Sequence, residues 1–212
     1  MPKIHIFISV DEAISVLKNY DKQIEKQDLS KEDIIKKSVS SNIFRAFHHL
    51  LKGPSIIYRT WAQNNFDEIL KSLNIIQTEE KYNQKLFEWI YSFIDYWDSQ
   101  INCSSERIIF GPASKMVNLL IKMINESNLL RNPEIIKFMN VPFDKYTLKP
   151  LIDIINNLTD IKYKVDIPKN PTMKFINSPN LYLIIQKAIF KLCNKANIYP
   201  IIFDYWCWNE KH

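Results

Sequence analysis

Two segments carry side chains whose type and spacing could do chemistry. The first, FGPASKMVNLLIKMI at residues 110–124, puts Lys115 near the first turn of a helix that follows a turn around Gly111. Backbone N–H groups at such a helix start can hold a DNA phosphate, and the positive end of the helix dipole disfavours a protonated amine. Partial burial pushes in the same direction, which is how an amine becomes a nucleophile near neutral pH. The second segment, NVPFDKYTL at residues 140–148, sets Asp144 after an extended Val-Pro pair at the start of another helix, where a carboxylate is favoured. Each segment also has a plainer reading. Lys115 and Lys122 on one helix fit a solvated face, and a Pro-x-Asp at a helix start fits a simple N-cap.

In order and spacing, the pair resembles the catalytic region of the helix-hairpin-helix DNA glycosylase superfamily. There a hairpin ends in Gly-x-Gly-[Thr/Ser]-Lys, and a Val-Pro-[Val/Ile]-Asp stretch follows after a helix. Here the two read Gly111-Pro112-Ala113-Ser114-Lys115 and Val141-Pro142-Phe143-Asp144. Lys115-Met116-Val117-Asn118 and Lys122-Met123 are similar to the archaeal 8-oxoguanine glycosylase branch. The resemblance covers residues 105–150; the flanking segments agree only in being helical. Ala113 stands where the second hairpin glycine belongs, which weakens the expected backbone contact with phosphate and cation. Lys115 and Asp144 are 29 residues apart, longer than in typical members but not unlike the archaeal branch.

The resemblance implies an all-α, two-lobed helical bundle and an enzyme that flips a modified nucleotide out of duplex DNA. Asp144 would stabilise the positive charge developing on the sugar and could activate the nucleophile. Lys115 would either attack C1′, giving a Schiff base and strand cleavage by β-elimination, or position the substrate while water attacks. Gly111, Ala113, Ser114, Lys122 and Lys145 would meet the DNA. The implied partner is double-stranded DNA with a modified base, either oxidised guanine in DNA repair or a hypermodified base in phage defence. A cytoplasmic monomer without cofactor or metal is implied. A non-enzymatic reading stands beside this one: a helical nucleic-acid-binding or protein-interaction module of a phage or defence system.

Other side chains are candidates of lower specificity. Trp89 and Tyr96, on an aromatic-rich stretch, could stack on a base or simply fill a core. Asp204, Trp206 and Trp208 near the C-terminus could line a base pocket or pack. Arg45 and Arg59 could bind phosphate. His48 and His49 are adjacent, so on a helix they point about 100° apart and cannot form an i,i+4 metal pair. His5 and His212 have no partner visible in the sequence.

The elements that must position these groups read as helices. Only two glycines occur, Gly53 and Gly111, which argues against glycine-rich phosphate loops, dinucleotide folds and tight β-hairpins. Ser9 with Glu12 forms a capping box opening a helix to about residue 27, and Ser30 with Asp33 opens another that Gly53-Pro54 stops. In that second helix Ile34, Ile35, Val39, Ile43, Phe47, Leu50 and Leu51 form an apolar stripe. Further helices are expected over 57–73, 80–100, 112–125, after Pro133, from Pro142 to Leu158 with an interruption at Pro150, and from Ser178 to about Lys195. Residues 159–177 read as a long loop and 203–212 as an aromatic tail. This gives roughly eight helices in a single domain over 1–212, with lobes at 1–104 and 105–212.

Composition bounds the rest. Cys103, Cys193 and Cys207 are odd in number and widely spaced, which suggests idle thiols in a reducing compartment and no zinc or iron–sulfur site. The N-terminal MPKIHIFISV lacks the features of a signal peptide, and no apolar run reaches the roughly 20 residues that span a bilayer. The net charge is +5, but residues 131–195 hold eleven basic and five acidic side chains, leaving the remainder at −1. That asymmetry suits a polyanion against the C-terminal half, or a lysine-rich solvated surface.

Overall fold

The computed structural model describes residues 4–20, 23–39, 41–44, 53–102, 107–159 and 164–209, with side chains from residue 43 onward in the third of these short helices. Among them the fold is all-α; the one β-type contact is an isolated parallel bridge between Gln27 and Ser127. The helices are α1 (Val10–Lys18), α2 (Lys31–Ser38), α3 (Ser41–Phe44), α4 (Pro54–Ile75) and α5 (Glu79–Ser99). They continue with α6 (Phe110–Asn125), α7 (Lys145–Leu148), α8 (Ile155–Leu158), α9 (Pro179–Ala196) and α10 (Pro200–Asn209). Among the described residues, no helix is long and apolar enough to cross a membrane.

The chain divides into two compact units. One comprises residues 1–23 and 139–212; the other is the contiguous stretch 24–138. The lobe boundary expected at 104/105 falls inside the second unit. In the first unit α9 packs against α1, α8 and α10, and α10 also packs against α7. In the second, α6 packs against both α2 and α5, while α4 packs against α5 and α2.

Capping residues explain most helix starts. Ser9 Oγ accepts the Glu12 N–H at 3.1 Å, as its capping box requires. On the return arm, Glu12 Oε2 accepts the Ile8 N–H at 2.7 Å, one residue before the cap. Ser30 caps α2, Thr78 caps α5 and Ser178 caps α9 through the same type of contact. Gly53 and Pro54 begin α4 as well as separating it from what precedes, with proline in the first turn where its missing N–H costs nothing.

Four boundaries differ from those the pattern suggests. α1 stops at Lys18, where Tyr20 N–H donates to Leu17 O at 3.1 Å; further along, in the other unit, Gln27 N–H donates to Glu126 O at 2.7 Å and Asn128 N–H to Gln27 O at 2.9 Å. α2 stops at Ser38, whose hydroxyl donates to Ile35 O at 2.9 Å and pairs with the Tyr58 hydroxyl, while Val39 turns extended and is buried. Of the expected stripe, Ile34, Ile35 and Val39 are buried and Ile43 is half-buried, whereas Phe47, Leu50 and Leu51 lie outside the described residues. α6 begins at Phe110, so Gly111 lies within its first turn. The aromatic tail is itself a helix, α10, opened by Pro200 and buried along most of its length.

α9 ends in a Schellman motif. Asn197 adopts the left-handed conformation at φ 56°, its N–H donates to Asn194 O, and Ile198 N–H donates to Cys193 O at 3.0 Å. Asparagine tolerates this conformation where a β-branched residue does not. Asn197→Val is therefore expected to destabilise the protein by about 1–2 kcal/mol, while Asn197→Gly stays within about 0.5 kcal/mol of the parent. Urea unfolding midpoints at constant slope check both values.

Candidate active site

The position of Asp144 is set by α9. Gln186, buried on that helix, donates from Nε2 to Val141 O at 2.7 Å and accepts the Val141 N–H on Oε1 at 3.0 Å. This two-way clamp satisfies both polar groups of a backbone segment that proline leaves short of donors. The chain then runs extended into Asp144, the N-cap of α7. Asp144 Oδ1 accepts the N–H groups of Tyr146 (2.7 Å) and Thr147 (3.2 Å), and Thr147 Oγ1 accepts the Asp144 N–H at 2.9 Å. The plain N-cap reading of Pro-x-Asp is thus realised in full, with threonine in the reciprocal position of the capping box. It does not take Asp144 out of contention for chemistry, since the residue is nearly buried, at 7% exposed, and its carboxylate is held by two N–H groups.

α10 packs against α7 and brings a second acid to the same unit. Asp204 is fully buried. Cys207 lies one turn further along α10, also buried, and its thiol is pushed well above the ordinary range. Burial is the main cause, followed by the nearby carboxylates of Asp204 and Asp144 and the Cys193 thiol. Both acids therefore act on one thiol. Beside them, the Tyr146 and Trp208 rings meet with centroids 5.2 Å apart and planes tilted by 48°. Both residues are half-buried.

The other proposed pocket residues are built into cores. Trp206 stacks on Phe7 at 4.8 Å and meets Phe203 and the edge of His5, leaving it 2% exposed. His5, with no partner evident in the sequence, also pairs with Glu12 Oε1 at 3.0 Å. In the unit formed by residues 24–138, Trp89 is buried and its indole N–H donates to Glu68 Oε2 at 2.8 Å. Its ring is covered, and filling a core is the role it has here.

The lysine segment lies in that second unit as well. Gly111 does not form a turn before the helix, and its φ is not positive. Ala113 and Ser114 are fully buried, and Ser114 Oγ donates to Gly111 O at 2.9 Å, within its own helix. Neither side chain offers a surface to a duplex in this conformation. The reason is that α6 is buried nearly all round, polar side chains included, and is flanked by α2 and α5. Lys115 is 6% exposed, Lys122 is half-buried in the last turn of α6, and Lys145, in the first unit, is exposed. The first unit thus gathers Asp144, Asp204, Trp206 and Trp208, whereas Lys115, Gly111, Ala113, Ser114 and Trp89 belong to the second. Arg59 is exposed and Tyr96 half-buried; Arg45, His48, His49, Cys103 and His212 lie outside the described residues.

Tyr146 and Gln186 escaped sequence reasoning. Tyr146 follows Asp144 by two residues, yet only the packing of α10 shows that it joins Trp208. Gln186 looks like any polar residue on an amphipathic helix. Comparison with known proteins adds no further constraint: no family model, no curated protein and no solved structure matches the chain.

Two tests follow. Asparagine can still accept the Tyr146 and Thr147 N–H groups, so Asp144→Asn should leave stability within about 0.5 kcal/mol, while Asp144→Ala loses the cap and about 1–2 kcal/mol. Thermal and urea unfolding separate the two. Cys193 and Cys207 both keep their protons in the folded state beyond the ordinary thiol range. The unfolded chain therefore releases protons first, and stability should fall as pH rises above about 8.5. Urea midpoints across pH 7.5–10 measure that slope, which should shrink in Cys207→Ser.

Proposed function

We propose that the chain is a DNA N-glycosylase in which Asp144 is the catalytic carboxylate. The observation that supports this most is the α7–α10 junction. There an oriented, nearly buried aspartate lies in the same small region as a second buried acid and a half-exposed pair of aromatic rings. Cleaving an N-glycosidic bond leaves positive charge on the sugar, and a fixed carboxylate in a poorly solvated site stabilises that charge more than water does. Tyr146 and Trp208 offer π-faces of the kind on which an extruded base stacks. With water as nucleophile the product is an abasic site. Lys115 as nucleophile would add a Schiff base and strand scission. The substrate class is duplex DNA carrying a modified base, either oxidised guanine or a hypermodified phage base.

One observation favours a second reading, a nucleic-acid-binding module without catalysis. Ala113 and Ser114, the residues counterpart to the superfamily's phosphate-binding hairpin, are buried in α6.

A panel of duplexes, each with one modified base, followed by alkali or heat to reveal abasic sites, decides between them. The expected outcome is base release from at least one duplex by the parent protein. In Asp144→Asn that release should drop by about 10²-fold or more while duplex affinity stays within about twofold. Undiminished release by Asp144→Asn would remove the carboxylate role. Duplex binding with no release across the panel would favour the non-enzymatic module. Borohydride trapping tests the amine: a covalent adduct lost in Lys115→Ala assigns the Schiff base to that residue, and no adduct leaves water as the nucleophile.

A further inference from the structure

α9 carries a lysine stripe that the site does not use. Lys187, Lys191 and Lys195 recur every fourth residue, and all three are exposed, as is Asn194 beside them. A four-residue repeat keeps side chains on one helical face, and the stripe spans roughly 12 Å at 1.5 Å per residue. α9 itself contains no aspartate or glutamate. Lys195 sits in the last turn, where the helix dipole favours a cation. The helix thus presents three exposed lysines along one face.

We infer that this face of α9 is a docking surface for the phosphate backbone of duplex DNA, an inference that rests on the glycosylase reading for its choice of partner. One strand presents a phosphate about every 3.4 Å along the duplex axis, so the stripe spans roughly three to four of them. Phosphate contacts made by lysine carry no base specificity and position the protein on the duplex. An acidic membrane fits less well. Amphipathic helices bind bilayers by inserting an apolar face, and the apolar face of α9 is already buried, with the helix packed against α1, α8 and α10.

The test is the salt dependence of binding to a fluorescein-labelled, unmodified 20-bp duplex, followed by anisotropy. Three lost phosphate contacts should reduce the slope of log K against log salt by about 2.7 in the triple variant Lys187→Gln/Lys191→Gln/Lys195→Gln. The matching triple arginine variant keeps the charge and should keep the slope. Removing three exposed lysines elsewhere, with Lys36→Gln/Lys37→Gln/Lys71→Gln, should change the slope by less than about one. An unchanged slope in the first variant overturns the inference. So does an equal fall in the control, an absence of duplex binding by the parent, or lysine-dependent binding to phosphatidylserine vesicles in place of duplex. Circular dichroism melts show that the variants fold. Base release is scored separately, so a stripe that binds DNA without excision counts against the glycosylase reading alone. Excision with an unaltered slope counts against the stripe alone.

Discussion

A glutamine amide and one peptide group exchange two hydrogen bonds between α9 and the strand-like segment at Val141, and the geometry around Asp144 depends on that exchange. Pro142 deprives the segment of a donor and keeps it from joining a helix, so the chain needs an external partner to hold it in place. Gln186 provides both a donor and an acceptor from a buried side chain. With the backbone fixed, the aspartate enters α7 as its cap, and the cap fixes the carboxylate. Each step removes a rotational freedom from Asp144, which is the form of preorganisation that its proposed charge-stabilising role requires.

The energetics around α10 point the same way. A fully buried carboxylate such as that of Asp204 is expensive to desolvate, and an apolar residue of similar volume would commonly be no worse for stability. The carboxylates of Asp204 and Asp144 add to burial in raising the Cys207 thiol. Titratable groups gathered and perturbed in this way cluster where a protein binds or reacts, which supports reading the α7–α10 junction as functional. Ion pairs on α5, such as that of Lys85 with Glu88, are exposed and follow ordinary helix spacing.

How much of this was legible in the sequence depended on how local the cause was. Ser9, Ser30 and Ser178 as caps, Gly53-Pro54 as a boundary and Asp144 at a helix start were readable, because each acts within about four residues. The all-α class followed from apolar periodicity and the shortage of glycine. The end of α2 and the helical start at Phe110 were not readable, since each meets a partner distant in the chain: the Tyr58 hydroxyl, and the flanking helices α2 and α5. At the site, sequence suggested Asp144, Asp204 and Trp208 from separate arguments, and the fold unites them in one unit. The lysine segment shows the opposite case. Its motif resembles a DNA-binding hairpin, but its apolar neighbours make α6 a core helix, so burial governs Ala113 and Ser114.

The first unit is assembled from both ends of the chain, with residues 24–138 inserted between its parts. During synthesis α1 leaves the ribosome before the inserted unit, and α9, its main packing partner, leaves after it. The inserted unit is complete before then, with α6 packed back against α2 near its start. Once folded, it shortens the effective span that α1 and α9 must close, and closure entropy grows only with the logarithm of that span. The pairing of α1 with α9 consequently waits until the chain beyond the inserted unit has been made.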